Sequence, residues 1–193
     1  MRTVRAVERG FEQRHRFAHV LGVTRMADTL AQAHGVDPAR ARLAALLHDL
    51  ARLYSAQRLT HECTERGLPI DEFERRNPIV LHARLGAELA RERFGVTDES
   101  VLSAIRKHTV GDAVMSPLDQ VIYLADALEP QRDYPERAQL AALAHRDMRA
   151  GMRAVLVSTI DYLQRRGLEI APQTFAAARA FGLDPSREEK RPA

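Results

Sequence analysis

The sequence predicts one all-α domain, a bundle of helices. Apolar residues recur at spacings of three and four through most of the 193 residues, and no stretch of five or more alternates as a half-buried β-strand would. The hydrophobic fraction of 45% and the charged fraction of 28% are those of an ordinary globular protein. We therefore expect a single domain over residues 1–183, with a charged tail over residues 184–193.

The first two helices have clear boundary residues. Apolar residues from Phe17 to Leu30 form one stripe, and Gly35 ends this helix because glycine adopts the left-handed conformation easily. Asp37 then serves as the N-cap of a second helix, with Pro38 at its first position. We expect this second helix to run to about Ala51.

The later helices are predicted from the same signals, which are a cap residue or a proline at the start and a glycine or proline after the end. Asn77 and Pro78 belong to a loop that precedes a helix. The expected ranges are 55–66, 79–94, 97 or 98 to 108, 116–129, 138–166 as one or two helices, and 172–181.

The positive charge comes almost entirely from arginine. The net charge at pH 7 is only +3, and Lys107 and Lys190 are the only lysines. Because a guanidinium grips phosphate oxygens with two parallel donors, an arginine-rich surface suits phosphate ligands, although a biased genome composition would produce the same pattern. Basic residues are not interleaved with aromatic ones, so nucleic acid is not the expected partner.

Membrane segments and thiolate metal sites are not expected. No apolar run approaches the roughly 18 residues that a membrane span needs, and the first residues, MRTVRAVERGFEQRHR, lack the apolar segment of a secretory signal. We therefore expect a cytoplasmic protein with no membrane partner. Cys63 is the single cysteine, so any metal must be held by nitrogen and oxygen ligands.

One histidine and two aspartates lie where apolar residues are expected. His48 and Asp49 follow the run LAALL near the end of a helix that otherwise resembles pure core, and Asp126 lies within VIYLADAL. Burying an imidazole beside a carboxylate costs several kcal/mol unless each group is hydrogen-bonded or bound to a metal. Each residue alone could be a helix cap or an ion-pair partner, but a metal would explain all three.

Three further histidines could reach the same centre. His19 lies mid-helix, His82 lies near the start of a helix, and His108 ends one. Bundles build metal sites from side chains on facing helices, so the six residues together predict a metal centre between helices. The histidines expected to be solvated surface residues are His34, His61 and His145.

Six strings along the chain, five of which contain these residues, resemble the YqeK family of HD-domain phosphohydrolases. They are HRFAHVLGV (15–23), LAALLHDLAR (43–52), NPIVLHARLGA (77–87), AIRKHTVG (104–111), YLADALEPQRDYP (123–135) and PQTF (172–175). The resemblance implies an HD-domain helical bundle that cleaves diadenosine tetraphosphate symmetrically to two ADP. It also implies that the partner is a small-molecule nucleotide.

The resemblance further implies two divalent metal ions, with iron as the first candidate and manganese or cobalt as alternatives. With Asp49 as a bridge, the two ligand sets are His19, His48, Asp49 and Asp126 for one ion, and Asp49, His82 and His108 for the other. Two ions in such a site activate water and neutralise phosphoryl oxygens as charge develops, so no protein nucleophile is required.

Residues beside the ligands are the expected substrate contacts. Asp49 and Arg52 are assigned to catalysis, and the substrate-binding set is Arg16, Arg52, His82, Thr109, Gly111 and Arg132. Two positions depart from the family pattern, because Arg52 stands where lysine is usual and Asp112 where a basic residue is usual. Arg52 keeps the charge, whereas Asp112 reverses it, which counts against a phosphate contact at that position.

Three alternatives are left open. The same fold could act on another nucleotide, such as a deoxynucleotide, an alarmone or a cyclic dinucleotide. The chain could instead bind a nucleotide without turning it over, or it could be a helical adaptor with one structural zinc. A homodimer is also left open as a partner arrangement.

Overall fold

The structure, a computed structural model, describes residues 14–184, and within that range the regular secondary structure is helical, as the sequence predicts. The predicted tail therefore lies outside the described residues except for its first position. The helices are α1 Arg14–Ala33, α2 Pro38–Leu47, α3 Ala56–Glu65, α4 Glu72–Arg76, a 3₁₀ turn Pro78–Val80, α5 Leu81–Phe94, α6 Glu99–Lys107, α7 Pro117–Leu128, α8 Arg137–Arg146, α9 Met148–Arg165 and α10 Pro172–Ala180.

The predicted boundary residues act as caps. The Asp37 carboxylate accepts the backbone N–H groups of Ala39 and Arg40, which satisfies two donors that the first turn of α2 leaves free. Gly35 and Gly95 both adopt φ +67° where helices end, a conformation that costs glycine little. The start and stop signals in the sequence are thus confirmed at these positions.

Helix α2 ends four residues earlier than predicted. It stops at Leu47, and the following residues form tight turns in which the N–H groups of Leu50 and Arg52 donate to the carbonyls of Leu47 and Asp49, three residues back. Consecutive side chains on an α-helix diverge by about 100°. His48 and Asp49 lie where these turns begin, and His48 Nε2 lies 3.5 Å from Asp49 Oδ2.

The sequence prediction missed helix α4. The Asp71 carboxylate accepts the N–H of Glu74, and the Glu74 side chain accepts the N–H of Asp71, so the two residues form a capping box. Glu74 is buried and pairs with Arg84 of α5 at 2.7 Å. A helix of five residues is too short to show an apolar period, so only the capping box could have indicated it.

The main core lies where α1, α2, α6 and α7 pack together, and α5 packs on the outer side of α6. Helices α8, α9 and α10 contribute Ala144, Met152, Leu156 and Ala177 to the same core. A smaller cluster joins α3 to α5 and contains the buried Cys63. These contacts agree with one domain, although its boundary at residue 183 stays a prediction. None of the described helices combines the length and the apolarity that crossing a bilayer requires.

One histidine behaves differently from its prediction. His34 is half-buried, and its Nε2 lies 2.7 Å from the carbonyl oxygen of Ala144, so the end of α1 is tied to α8. The expectation of a solvated surface residue is wrong because the loop after α1 passes over α8. His61 and His145 are exposed, as predicted.

A glycine brings α5 close to the end of α2. A Cβ atom on Gly86 would lie 3.2 Å from the backbone oxygen of His48, which is tighter than ordinary van der Waals contact. The absence of a side chain therefore allows α5 to approach the His48–Asp49 turn. This approach places His82, one turn earlier on α5, beside Asp49.

Candidate metal centre

All six predicted ligands meet at one place in the bundle. They come from the middle of α1, the turn after α2, the first turn of α5, the residue that ends α6 and the last turns of α7. Five of them are at least nine-tenths buried, namely His19, His48, Asp49, His82 and His108. The Asp126 side chain is 19% exposed, so it lies at the open edge of the group.

Asp49 lies at the middle of the group, with a different set of imidazoles facing each carboxylate oxygen. Its Oδ1 is 3.3 Å from His82 Nε2 and 3.7 Å from His108 Nε2. Its Oδ2 is 3.5 Å from His48 Nε2 and 3.8 Å from His19 Nε2. A carboxylate that presents its two oxygens to two groups of nitrogen donors is arranged to bridge two cations.

Asp126 completes one of these two groups. Its Oδ1 lies 3.1 Å from His19 Nε2 and 3.9 Å from His48 Nε2. Ligand atoms of His19, His48 and Asp126 all lie within 4.8 Å of one another, and the same holds for His48, Asp49 and His108. His48 Nε2 is thus within reach of both groups, whereas the sequence assigned it to one.

Three of the histidines are oriented by backbone carbonyls. The Nδ1 atoms of His48, His82 and His108 lie 2.7, 2.5 and 2.8 Å from the carbonyl oxygen three residues earlier in the chain. A carbonyl oxygen can only accept, so each Nδ1 carries the proton of the neutral ring and each Nε2 keeps its lone pair. The three lone pairs are therefore available on the side of Asp49.

The donor atoms fit a cation. The Nε2 atoms of His19 and His48 are buried without a hydrogen-bond partner among the described residues, and leaving such an atom unsatisfied costs about 1–3 kcal/mol. His82 Nε2 and His108 Nε2 lie 3.2 Å apart, although both are acceptors when Nδ1 is protonated. A bound metal would satisfy all four nitrogens, and a set of imidazole and carboxylate donors suits divalent metal ions.

The electrostatics of the group favour cation binding at its carboxylates. Burial lowers the pKa of His48 to about 4 and also lowers the pKa of His82, so both rings are neutral at pH 7. Burial acts in the same direction on His19 and His108, but Asp126 and Asp49 respectively outweigh it and raise their pKa values. Burial alone would raise the pKa of Asp49, but the neighbouring His48, His108 and His82 hold it well below its usual range. Burial acts in the same direction on Asp126, where the pKa is nonetheless lowered by His19 and Arg132. Both carboxylates are therefore ionised and able to attract cations.

Two of the predicted phosphate-binding arginines line the group. Arg16 Nη1 donates to Asp49 Oδ2 at 2.9 Å. Arg132 donates from Nε to the carbonyl oxygen of Asp126 at 2.9 Å and from Nη2 to Asp126 Oδ1 at 2.5 Å. The chain turns back here because α7 ends at Leu128, and the N–H of Arg132 closes the turn on the carbonyl of Glu129. Each arginine contacts a carboxylate of the centre.

The other predicted substrate contacts, Thr109, Arg52 and Gly111, have three different surroundings. Thr109 Oγ1 lies 3.0 Å from His108 Nε2 and 3.2 Å from His82 Nε2, so Thr109 is part of the group. Arg52 is half-buried, and no residue in the range 14–184 accepts a hydrogen bond from its guanidinium. Gly111 is buried, and its N–H donates to the carbonyl of Lys107. The turn after α6 thus already uses this N–H, and a contact between Gly111 and a phosphate stays a prediction.

Asp112, which departs from the family pattern, has a local role. Its Oδ1 accepts the backbone N–H of Val114 at 2.9 Å, an arrangement that stabilises the turn in the loop between α6 and α7. The carboxylate is therefore explained by loop geometry without a phosphate contact.

The sequence prediction missed one residue of the site. Glu129 is 1% exposed, and its Oε1 lies 3.0 Å from His19 Nδ1, on the side of the ring opposite Asp126. The signal for it was an acidic residue at the end of an apolar helix, three positions after Asp126 and so on the same helical face.

Comparison with known proteins gives the family. The HD domain model matches residues 16–131. A symmetrical bis(5'-nucleosyl)-tetraphosphatase of Halalkalibacterium halodurans is 36% identical over 162 residues, which cover 84% of this chain and 86% of that protein. The enzyme of the same name from Bacillus subtilis is 34% identical over 161 residues, which cover 83% of this chain and 86% of that protein.

A solved structure shares the whole architecture. The crystal structure of a predicted HD superfamily hydrolase involved in NAD metabolism from Clostridium acetobutylicum superposes with a TM-score of 0.89 and 30% identity. The superposition covers 93% of this chain and 95% of that one. The chain therefore belongs to the HD-domain family and, within it, to the family of the symmetrical bis(5'-nucleosyl)-tetraphosphatases.

Proposed function

We propose that the chain hydrolyses diadenosine tetraphosphate symmetrically. One water adds across the central phosphoanhydride, its oxygen joins one of the two inner phosphorus atoms, and two ADP molecules leave. The observation that carries the proposal is the position of Asp49, whose two carboxylate oxygens face two groups of imidazole Nε2 atoms in a chain whose relatives are named for this activity.

The proposed centre holds two divalent ions, with iron as the preferred candidate and manganese or cobalt as alternatives. When bound, two such ions supply Lewis acidity and make water nucleophilic at neutral pH. The proposed ligands of one ion are His19, His48, Asp49 Oδ2 and Asp126, and those of the other are His82, His108 and Asp49 Oδ1. This division is supported by the distances around Asp49, and the ligand sets leave coordination positions for water and substrate.

The surrounding residues are proposed to bind the polyphosphate. Arg132 is 42% exposed at the edge of the centre, where a charged chain of phosphates can reach its guanidinium. Arg16 neutralises Asp49 and lies close enough to the centre to contact a phosphate held there. Thr109 is proposed to offer its hydroxyl from beside His82 and His108. Arg52, three positions after Asp49 in the chain, is proposed to supply a further positive charge.

The experiment that tests this proposal is product analysis of the purified chain with diadenosine tetraphosphate and Mn²⁺ or Fe²⁺. Symmetrical cleavage gives two ADP per substrate, and in H₂¹⁸O exactly one of every two ADP molecules carries the label. AMP with ATP as products, or no hydrolysis, would overturn the proposal. Deoxynucleoside triphosphates, an alarmone and a cyclic dinucleotide are tested in parallel, because faster cleavage of one of these would change the substrate.

Two controls assign the activity to this centre. Asp49→Asn keeps the size of the side chain and removes its charge, so the variant should lose activity while its circular dichroism stays unchanged. Arg40→Ala alters an arginine that pairs with Asp98 near the start of α2, at the end of that helix away from His48, and should keep full activity.

Two further expectations stay predictions. A homodimer would appear as twice the chain mass in sedimentation or light scattering. A cytoplasmic location would appear as recovery of the chain in the cytoplasmic fraction of the cells that produce it.

A further inference from the structure

The C-terminal end of α7 places a carboxylate on each side of the His19 ring. Asp126 Oδ1 lies 3.1 Å from Nε2, and Glu129 Oε1 lies 3.0 Å from Nδ1. The second oxygen of Glu129, Oε2, accepts the backbone N–H of Gln131 at 2.9 Å. Glu129 is 1% exposed, so an unpaired charge here would be costly, and both of its oxygens are in use.

His19 needs this carboxylate because of its place in the fold. The other three histidines lie at helix ends, where a carbonyl three residues earlier accepts Nδ1–H. His19 lies inside α1, where the backbone carbonyls accept from N–H groups four residues later and point along the helix. The ring therefore requires an acceptor from another element, and Glu129 is that acceptor.

Gly22 makes room for the carboxylate. It is buried on α1, three positions after His19 and on the same face of the helix. A Cβ atom at this position would overlap Glu129 Oε2, far inside van der Waals distance. Gly22 has an ordinary helical conformation, so backbone geometry does not require a glycine here. A glycine is required because any side chain would occupy the space of the Glu129 carboxylate.

We propose that Glu129 is a positioning residue that acts through His19, and that Gly22 is its complement on α1. The inference rests on the proposed metal centre. Accepting Nδ1–H fixes the tautomer in which the Nε2 lone pair faces Asp49 and Asp126, and a carboxylate raises the basicity of that nitrogen more than a carbonyl does. Residues in this position affect metal affinity typically by about 10- to 100-fold.

The test is a Mn²⁺ titration of the metal-free protein in competition with a chelator, which reads affinity and stoichiometry without any turnover. Glu129→Ala should weaken binding by about 10- to 100-fold. Glu129→Gln keeps one acceptor oxygen for His19 but cannot also accept the Gln131 N–H, so it should lie between Glu129→Ala and the wild type. Glu74→Gln changes another carboxylate that is mostly buried, at 5% exposure, and should bind Mn²⁺ as the wild type does.

Gly22→Ala tests the same contact without removing the Glu129 carboxylate. Alanine is a better helix former than glycine, so α1 should survive, and the far end of Glu129 should swing away from His19. The affinity should fall although every proposed ligand and Glu129 itself are present. In the double variant Gly22→Ala, Glu129→Ala the affinity should be no lower than in Glu129→Ala, because both changes act through one contact.

Wild-type affinity in Glu129→Ala would overturn the inference, and so would losses that multiply in the double variant. If circular dichroism shows that Glu129→Ala does not fold, the Mn²⁺ affinity of Gly22→Ala alone decides whether the inference holds. A wild-type chain that binds no Mn²⁺ would overturn both the inference and the metal centre. A wild-type chain that binds two ions but leaves diadenosine tetraphosphate intact would overturn the proposed function and leave the role of Glu129 standing.

Discussion

Replacing Arg132 with alanine should reduce kcat/KM for diadenosine tetraphosphate by roughly tenfold. Hydrogen bonds to charged groups contribute roughly 1.5–3 kcal/mol. We expect the lower end, about 1.5 kcal/mol or roughly tenfold in rate, because Nε and Nη2 of Arg132 already bond Asp126 and chiefly Nη1 remains for a phosphate. The side chain is also 42% exposed, so water screens the contact.

Arg132→Lys should recover only part of this loss, because a lysine keeps the charge but lacks the planar fork with which Arg132 bonds Asp126 and still presents Nη1 to a phosphate. The assay is steady-state ADP release over a range of substrate concentrations, together with elemental analysis of each variant. Metal content should stay at the wild-type value, because removing a positive charge next to Asp126 does not weaken cation binding.

Arg40→Ala is the matched control, since Arg40 also pairs with an aspartate, Asp98 at 2.9 Å, and is 55% exposed. It should leave kcat/KM unchanged. Unaltered kinetic constants in Arg132→Ala would show that Arg132 does not bind the polyphosphate, and the phosphate contact would then have to be sought at Arg16 or Arg52.

Three further predictions concern the centre and its support. Asp49→Ala should lose bound metal and activity together while its helical content stays unchanged. Near-normal metal content together with normal turnover in this variant would contradict the two-ion arrangement. Chelator titration should first remove the ion held by His82 and His108, because only the shared Asp49 adds a protein ligand to that ion. Simultaneous loss of both ions at every chelator concentration would count against the division of ligands. Lys107→Met should destabilise the fold by about 2–4 kcal/mol in urea unfolding, because Lys107 pairs at 3.1 Å with the buried Asp119 and is only 24% exposed. A loss under roughly 1 kcal/mol, the value for a surface pair, would show that this pair is not effectively buried.

Three of the six proposed ligands could be predicted because polar residues within apolar runs are costly, and the three other histidines followed from their places on the predicted helices and from the family resemblance. His48, Asp49 and Asp126 each interrupt a sequence that otherwise packs as core, and such a cost needs a compensating partner. The helix starts were predictable for a similar reason, since an aspartate or serine before proline satisfies free N–H groups that the chain must cap.

Features that depend on tertiary contacts could not be predicted. Helix α2 ends at Leu47, where tight turns begin and where His48 and Asp49 approach side chains of α1, α5 and α7. The use of the Gly111 N–H depends on the tightness of the turn after α6. Local sequence carries neither piece of information.

Contacts between residues that are far apart in the sequence could not be predicted either. Glu129 and His19 are 110 positions apart, and nothing in one segment reveals the other. Arg16 and Asp49 are 33 positions apart, and their residue types alone do not indicate that they pair. The role of Gly22 could not be predicted either, because this glycine matters for the space that it leaves for the Glu129 side chain, which comes from another helix.

We propose that Asp49 and the five side chains around it hold two metal ions. The most direct measurement is the metal-to-protein ratio of the purified chain, reloaded with Mn²⁺ or Fe²⁺ and freed of excess metal, by elemental analysis. We expect two ions per chain, and fewer than one in Asp49→Ala. A single tightly held zinc per chain that survives Asp49→Ala, or no bound metal at all, would contradict it.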